Sequence, residues 1–234
     1  MKRCLAILGI LTGIAPAHDV ITTSITFDRE IARIFQARCL SCHREGGLAF
    51  SLKTYSEARP WAEAIKEEVL ARTMPPWGAI KGFGDFRNDQ ALTPEQIEVI
   101  ESWASGGAPE GEPADLPPAT PAAEPLPAAR PHGALEISGD WKLDRAFIVD
   151  GLLPVSVPEK ASLQVIAEFP DGSVEPLIWL QDYKPRFAHL FLLRTPLELP
   201  ANTVIRGVPA DARLALLPLS GDTPASAQST AESK

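Results

Sequence analysis

Apolar positions in the first half of the chain recur at helical spacing. Phe27, Ile31, Ile34 and Phe35 fall on one face of a predicted helix. Thr26 can cap it, and Asp28 and Glu30 lie in its first turn, favourable against the helix dipole. A second helix is predicted over 58–73, with Ala58, Trp61, Ala62, Ile65 and Val69 as its inward stripe and Pro60 tolerated in the first turn. A third opens at Thr93-Pro94, where Gln96 completes a capping box. Ile97, Ile100, Trp103 and Ala104 line one face of it, and Gly106-Gly107 ends it.

The pattern then changes. From Ala108 to Pro131 prolines recur without periodicity among alanine and acidic residues, a composition suited to a semi-extended spacer. Beyond it the apolar positions come in short runs. Leu163 to Phe169 and Val174 to Leu180 flank Asp171-Gly172, a hairpin signal. Further strands are predicted at 147–149, 190–193, 203–206 and 214–217. Ser220 to Lys234 is small and polar, and reads as a disordered tail. At the other end, Lys2 and Arg3 precede an apolar stretch from Cys4 to Ile14 and the small residues Ala15-Pro16-Ala17, the pattern of a secretory signal peptide. That stretch is too short to cross a bilayer as a helix; the alternative is a retained N-terminal anchor. The expected organisation is a signal peptide over 1–17, a helical domain over 18–107, a linker over 108–131, a β domain over 132–219 and a tail over 220–234. The expected localisation is the periplasm, with no membrane span in the mature chain.

Charge narrows the partners. The 234 residues carry a formal net charge of −8, which becomes more negative once Lys2 and Arg3 leave with the leader. Such a chain has no electrostatic reason to bind nucleic acid or an anionic membrane surface, and it would steer basic protein partners toward itself. Of the three cysteines, Cys4 belongs to the leader, so the mature chain keeps only Cys39 and Cys42. A single close pair in an exported protein is not a disulfide scaffold.

The two thiols stand in Cys39-Leu40-Ser41-Cys42-His43. At this spacing both sulfurs can reach the vinyl groups of one porphyrin, and the histidine that follows lies under the iron; this is the signature of c-type haem attachment. One covalent haem c is therefore expected, with Cys39 and Cys42 as attachment residues and His43 as iron ligand. Two other readings compete with it. A thioredoxin-like pair would open a helix after a strand, whereas this pair follows a helix. A structural zinc site would need a second ligand pair, and none is nearby. For the sixth position of the iron the candidate is Met74, in Arg72-Thr73-Met74-Pro75-Pro76-Trp77, where two prolines stiffen the loop. The alternative is a core methionine filling a gap. His132 and His189 would ligate only across the linker. Trp61, Trp77 and Trp103 are placed around the macrocycle or in the core, and Arg72 or Arg87 near a propionate.

With these residues in view, the stretch of about 27–109 resembles a class I cytochrome c domain: a helix running into Cys39–His43, a Met74 loop and a closing helix with Trp103. Cys42-His43-Arg44-Glu45-Gly46-Gly47, Glu57-Ala58-Arg59-Pro60-Trp61, Met74-Pro75-Pro76-Trp77 and Leu92-Thr93-Pro94-Glu95 are similar to bacterial proteins that fuse such a cytochrome to a β domain of the copper type II, ascorbate-dependent monooxygenase family. Residues 176–183 and 196–203 look like that domain's final strands. Its two copper sites, built mostly from histidines with one methionine, are not retained: the C-terminal half offers only His132 and His189, and no methionine.

The resemblance implies an α+β protein with an N-terminal all-α cytochrome c fold and a C-terminal, sandwich-like all-β domain. It implies a periplasmic mono-haem protein that transfers single electrons, a carrier rather than a stand-alone catalyst, loaded by the cytochrome c maturation machinery. The alternatives are an electron-delivering subunit of a separate oxidoreductase, or a haem-based gas sensor should Met74 leave the iron open.

Overall fold

The computed structural model describes residues 23–119 and 130–219. The signal peptide, the C-terminal tail and the middle of the linker expected from the sequence lie outside the described residues. Three short helical stretches, 27–38, 55–70 and 94–105, accompany two four-stranded antiparallel sheets. The protein is mostly β, and the expected all-α cytochrome c fold in the N-terminal half does not hold.

The first stretch begins as a π-helical turn, Phe27–Ile31, and continues as α1, Ala32–Arg38. Thr26 caps it, accepting from the Arg29 N–H, while the Glu30 carboxylate accepts from the Thr26 N–H at 2.9 Å. The second is broken where Pro60 removes a backbone donor: α2 is Tyr55–Ala58, a 3₁₀ turn spans Arg59–Trp61, and α3 is Ala62–Leu70. α4, Pro94–Ser105, carries the full capping box between Thr93 and Gln96. Phe27, Ile31, Phe35, Ile100 and Trp103 bury together between these helices. The start of the expected linker joins this core. Ala108 is buried, its carbonyl accepts from the Tyr55 hydroxyl, and the Pro109 carbonyl accepts from the Trp103 indole and the Phe27 N–H.

The strands are β1 Leu135–Ile137, β2 Trp141–Lys142, β3 Phe147–Ser156, β4 Leu163–Glu168, β5 Val174–Leu180, β6 Phe191–Leu199, β7 Val204–Arg206 and β8 Arg213–Pro218. One sheet has the order β1-β8-β3-β6, the other β2-β7-β4-β5. Val149, Leu152 and Phe191 of the first sheet and Val165, Leu177, Leu180 and Ile205 of the second belong to one buried cluster, so the two sheets enclose a shared core. The Asp171-Gly172 hairpin forms as expected, joining β4 to β5.

The expected all-α domain fails most plainly in the loop between the second and third helices, where residues 77–88 join the sheets and not the helices. This loop, rich in turns, meets one edge of each sheet. Ala79 pairs with Leu180 at the free edge of β5, and Phe86 pairs with Leu193 at the free edge of β6. Trp77, Ala79 and Phe86 are buried in the strand core, not the helical one. Gly84, at φ +81°, passes so close under β5 that a Cβ would sit 2.4 Å from the Leu177 carbonyl oxygen.

Candidate functional site

Cys39 caps the end of α1, and the next turn carries the rest of the motif. The Cys42 and His43 N–H groups both donate to the Cys39 carbonyl, at 3.1 and 2.9 Å. Both cysteines are free thiols with partly buried side chains. Burial, with Cys42 adding to it, pushes the Cys39 thiol up to about 12. Cys39 is thus a protonated thiol at neutral pH, opposite in character to the activated thiolate of a thiol–disulfide enzyme.

A tight loop then folds back on the motif. Gly47 donates to the Arg44 carbonyl, Ala49 to the Cys42 carbonyl and Leu52 to the His43 carbonyl. A side chain at Gly47 would meet the Cys42 carbonyl oxygen at 2.4 Å, so this return needs glycine. It delivers the Phe50 carbonyl to 3.0 Å from His43 Nδ1. A carbonyl only accepts, so Nδ1 carries the proton and Nε2 keeps its lone pair. Burial lowers the His43 pKa against the opposing pull of that hydrogen bond, favouring the neutral ring a metal ligand requires. Phe50 stands edge-on to the imidazole at 5.0 Å and stacks on Trp61 at 4.5 Å. Both aromatics are about half exposed, so an apolar face lies open beside His43. The sequence placed Trp61 on a buried helical stripe, and the bend at Pro60 turns it outward.

Met74 lies elsewhere. It lines a cavity of about 260 Å³ with Val69, Trp77, Leu92, Ile97 and Tyr183, and Cys39, Cys42 and His43 do not line it. The motif and the cavity border the same apolar cluster. Val69 and Leu92 are members of it, and Ile97 and Cys39 pack against it. The Met74 N–H donates to the Glu68 carbonyl at 3.3 Å, so its loop is held to the end of α3.

The other candidates divide. Trp103 is fully buried in the helical core. Trp77, expected beside a macrocycle or in a core, stacks on His189 at 4.8 Å and packs on Phe86 and Phe191 inside the sandwich. Arg87 is committed to Asp150 through two bonds of 2.9 and 2.8 Å. Arg72 is exposed at the mouth of the Met74 cavity. The sequence reading missed the Phe50 carbonyl, which Gly46-Gly47 after His43 could have signalled, and Tyr183, whose buried hydroxyl has no partner. No cluster of three or more His, Cys, Asp or Glu side chains suited to a metal ion occurs among the described residues.

These donors fit a covalent haem at the attachment side. Two free thiols sit one turn apart, the neighbouring imidazole is held through Nδ1, and an exposed apolar face lies alongside. Comparison with protein-family models, with curated proteins and with solved structures finds no match for this chain.

Proposed function

We propose that this protein is a periplasmic c-type haem protein that carries single electrons. The observation that carries the reading is the Cys39–His43 turn, with both thiols free and the imidazole fixed through Nδ1 to the Phe50 carbonyl. In this reading Cys39 and Cys42 would hold the haem as thioethers, each S–H being taken up across one vinyl group with no net oxidation. His43, through Nε2, and Met74 would be the residues that hold the iron. Bound haem supplies a one-electron ferric/ferrous couple, whose potential a thioether ligand raises. The chain's part is attachment, ligation and exclusion of water by the apolar face of Phe50 and Trp61. The acidic surface docks a basic redox partner, and the cytochrome c maturation machinery loads the haem. Kinship of the sandwich with copper monooxygenase domains is proposed for its architecture alone, since His132 and His189 cannot furnish two copper sites.

A second reading is favoured by one observation: the cavity lined by Met74 does not include His43. A haem held by His43 alone would bind carbon monoxide or nitric oxide and serve as a sensor. The test is the absorption spectrum of protein exported with the maturation machinery. Electron transfer predicts a haem that survives acid extraction and the red absorbance band of methionine on ferric haem. Covalent haem without that band, taking up carbon monoxide in native buffer, supports the sensor. Absence of covalent haem refutes both.

A further inference from the structure

The stretch that follows Met74 is part of the sandwich. On one side the Ile80 N–H donates to the Trp179 carbonyl and the Gln181 N–H to the Gly78 carbonyl, extending the second sheet past β5. On the other the Arg87 N–H donates to the Leu192 carbonyl and the Arg194 N–H to the Asp85 carbonyl, extending the first sheet past β6. Asn88 imitates a backbone unit there, donating to the Leu190 carbonyl at 2.7 Å and accepting from the Leu192 N–H at 2.9 Å. The Arg87 guanidinium reaches across β6 to the Asp150 carboxylate on β3. One short segment therefore closes the open edges of both sheets, and Trp77, three residues from Met74, is its first buried anchor. Behind Met74 the chain is tied to α3 at Glu68, and across the cavity stands Tyr183, just beyond β5.

We propose that the β-sandwich is the positioning scaffold of Met74: by holding residues 77–88 along both sheet edges it fixes the Met74 loop as an iron ligand, with Arg87 and Asp150 as positioning residues. The inference rests on the proposed His43/Met74 ligation and gives the sandwich its task in it. Haem attachment at Cys39 and Cys42 does not depend on this edge pairing. Loosening the edge releases the thioether and leaves the haem bound.

The test uses the full-length, haem-loaded chain. Arg87→Ala and Asp150→Ala are each expected to retain covalent haem and sheet circular dichroism. They should weaken the red band, lower the reduction potential and raise the fraction of ferrous protein that takes up carbon monoxide about fivefold, the effect of losing one partly exposed ion pair. Met74→Ala sets complete release, and adding Arg87→Ala to it should change carbon monoxide binding no further. That lack of additivity separates positioning from a general loss of stability. Should the alanine variants aggregate, Asp150→Asn carries the same comparison with the carboxylate's shape kept. Variants with an undiminished band, an unchanged potential and no carbon monoxide uptake overturn the proposal while leaving the ligation intact. A parent protein with covalent haem and no red band overturns the ligation reading, and the scaffold role with it.

Discussion

Replacing Trp77 with alanine removes a side chain that is 4% exposed and touches three aromatic rings: Phe86 at 5.9 Å, His189 at 4.8 Å and Phe191 at 4.8 Å. A tryptophan packed among rings in a closed core costs about 3–5 kcal/mol when truncated to alanine, from lost burial and the cavity left behind. In a chain of this size each 1 kcal/mol lowers the melting temperature by about 2–4 °C. The expected fall is therefore roughly 6–20 °C. The assay is thermal unfolding of haem-free protein followed by far-ultraviolet circular dichroism, where the strands give the signal. Because Trp77 belongs to the strand core, the loss must appear without haem and in the sheet transition. A change below about 1 kcal/mol would be that of a surface residue. It would refute the insertion of residues 77–88 into the sandwich.

Three further outcomes follow from the same contacts. Thr93→Ala removes the acceptor for the Gln96 N–H at the start of α4 and should cost about 1 kcal/mol by denaturant unfolding. Burial lowers the His189 pKa from the usual imidazole value of 6.5. The unfolded chain therefore binds the extra proton first. His189's contribution to stability is complete above about pH 6.5 and is lost as pH falls toward its folded value, with a slope of at most about 1.4 kcal/mol per pH unit. Urea unfolding of His189→Gln against the parent between pH 7 and 5 should show the shallower dependence in the variant; parallel curves would contradict it. A protease site inserted between the exposed Pro118 and Ala119 should, once cleaved, leave two fragments that elute together on gel filtration. Residues 77–88 of the first fragment fill the core of the second, and separation into two free species would contradict that packing.

What the sequence disclosed depended on how local each signal was. Thr93, Pro94 and Gln96 act within one turn, so the start of α4 was legible to the residue. Asp171-Gly172 likewise announces its own hairpin. Phe27, Ile31, Ile34 and Phe35 mark a buried face because their partners lie on neighbouring helices. Residues 77–88 carry no such mark. They hold only two-residue contacts with each edge, punctuated by Gly78, Gly82 and Gly84, and their partners lie about a hundred residues away. Neither alternation nor helical period can declare a segment whose pairing is spread over two sheets. The place of Trp77 stays open in the sequence for the same reason: an aromatic near Met74 suits a haem wall or a core, and it lies in the sandwich core. β1 and β2, three and two residues long, are shorter than any periodic signal. At the site, the order Cys39, Cys42, His43 was plain in the sequence, whereas the carbonyl of Phe50 that orients the ring is a backbone group, signalled only indirectly by the Gly46-Gly47 return that delivers it.

The central claim is covalent haem at Cys39 and Cys42. The most direct measurement is mass spectrometry of the exported protein, intact and after proteolysis, from a host with the maturation machinery. The account predicts a single population heavier by one haem, with the added mass on the peptide spanning Cys39 to His43 and reduced to one thioether in Cys39→Ala or Cys42→Ala. An intact mass equal to that of the bare polypeptide, with both thiols free to alkylate, would contradict it.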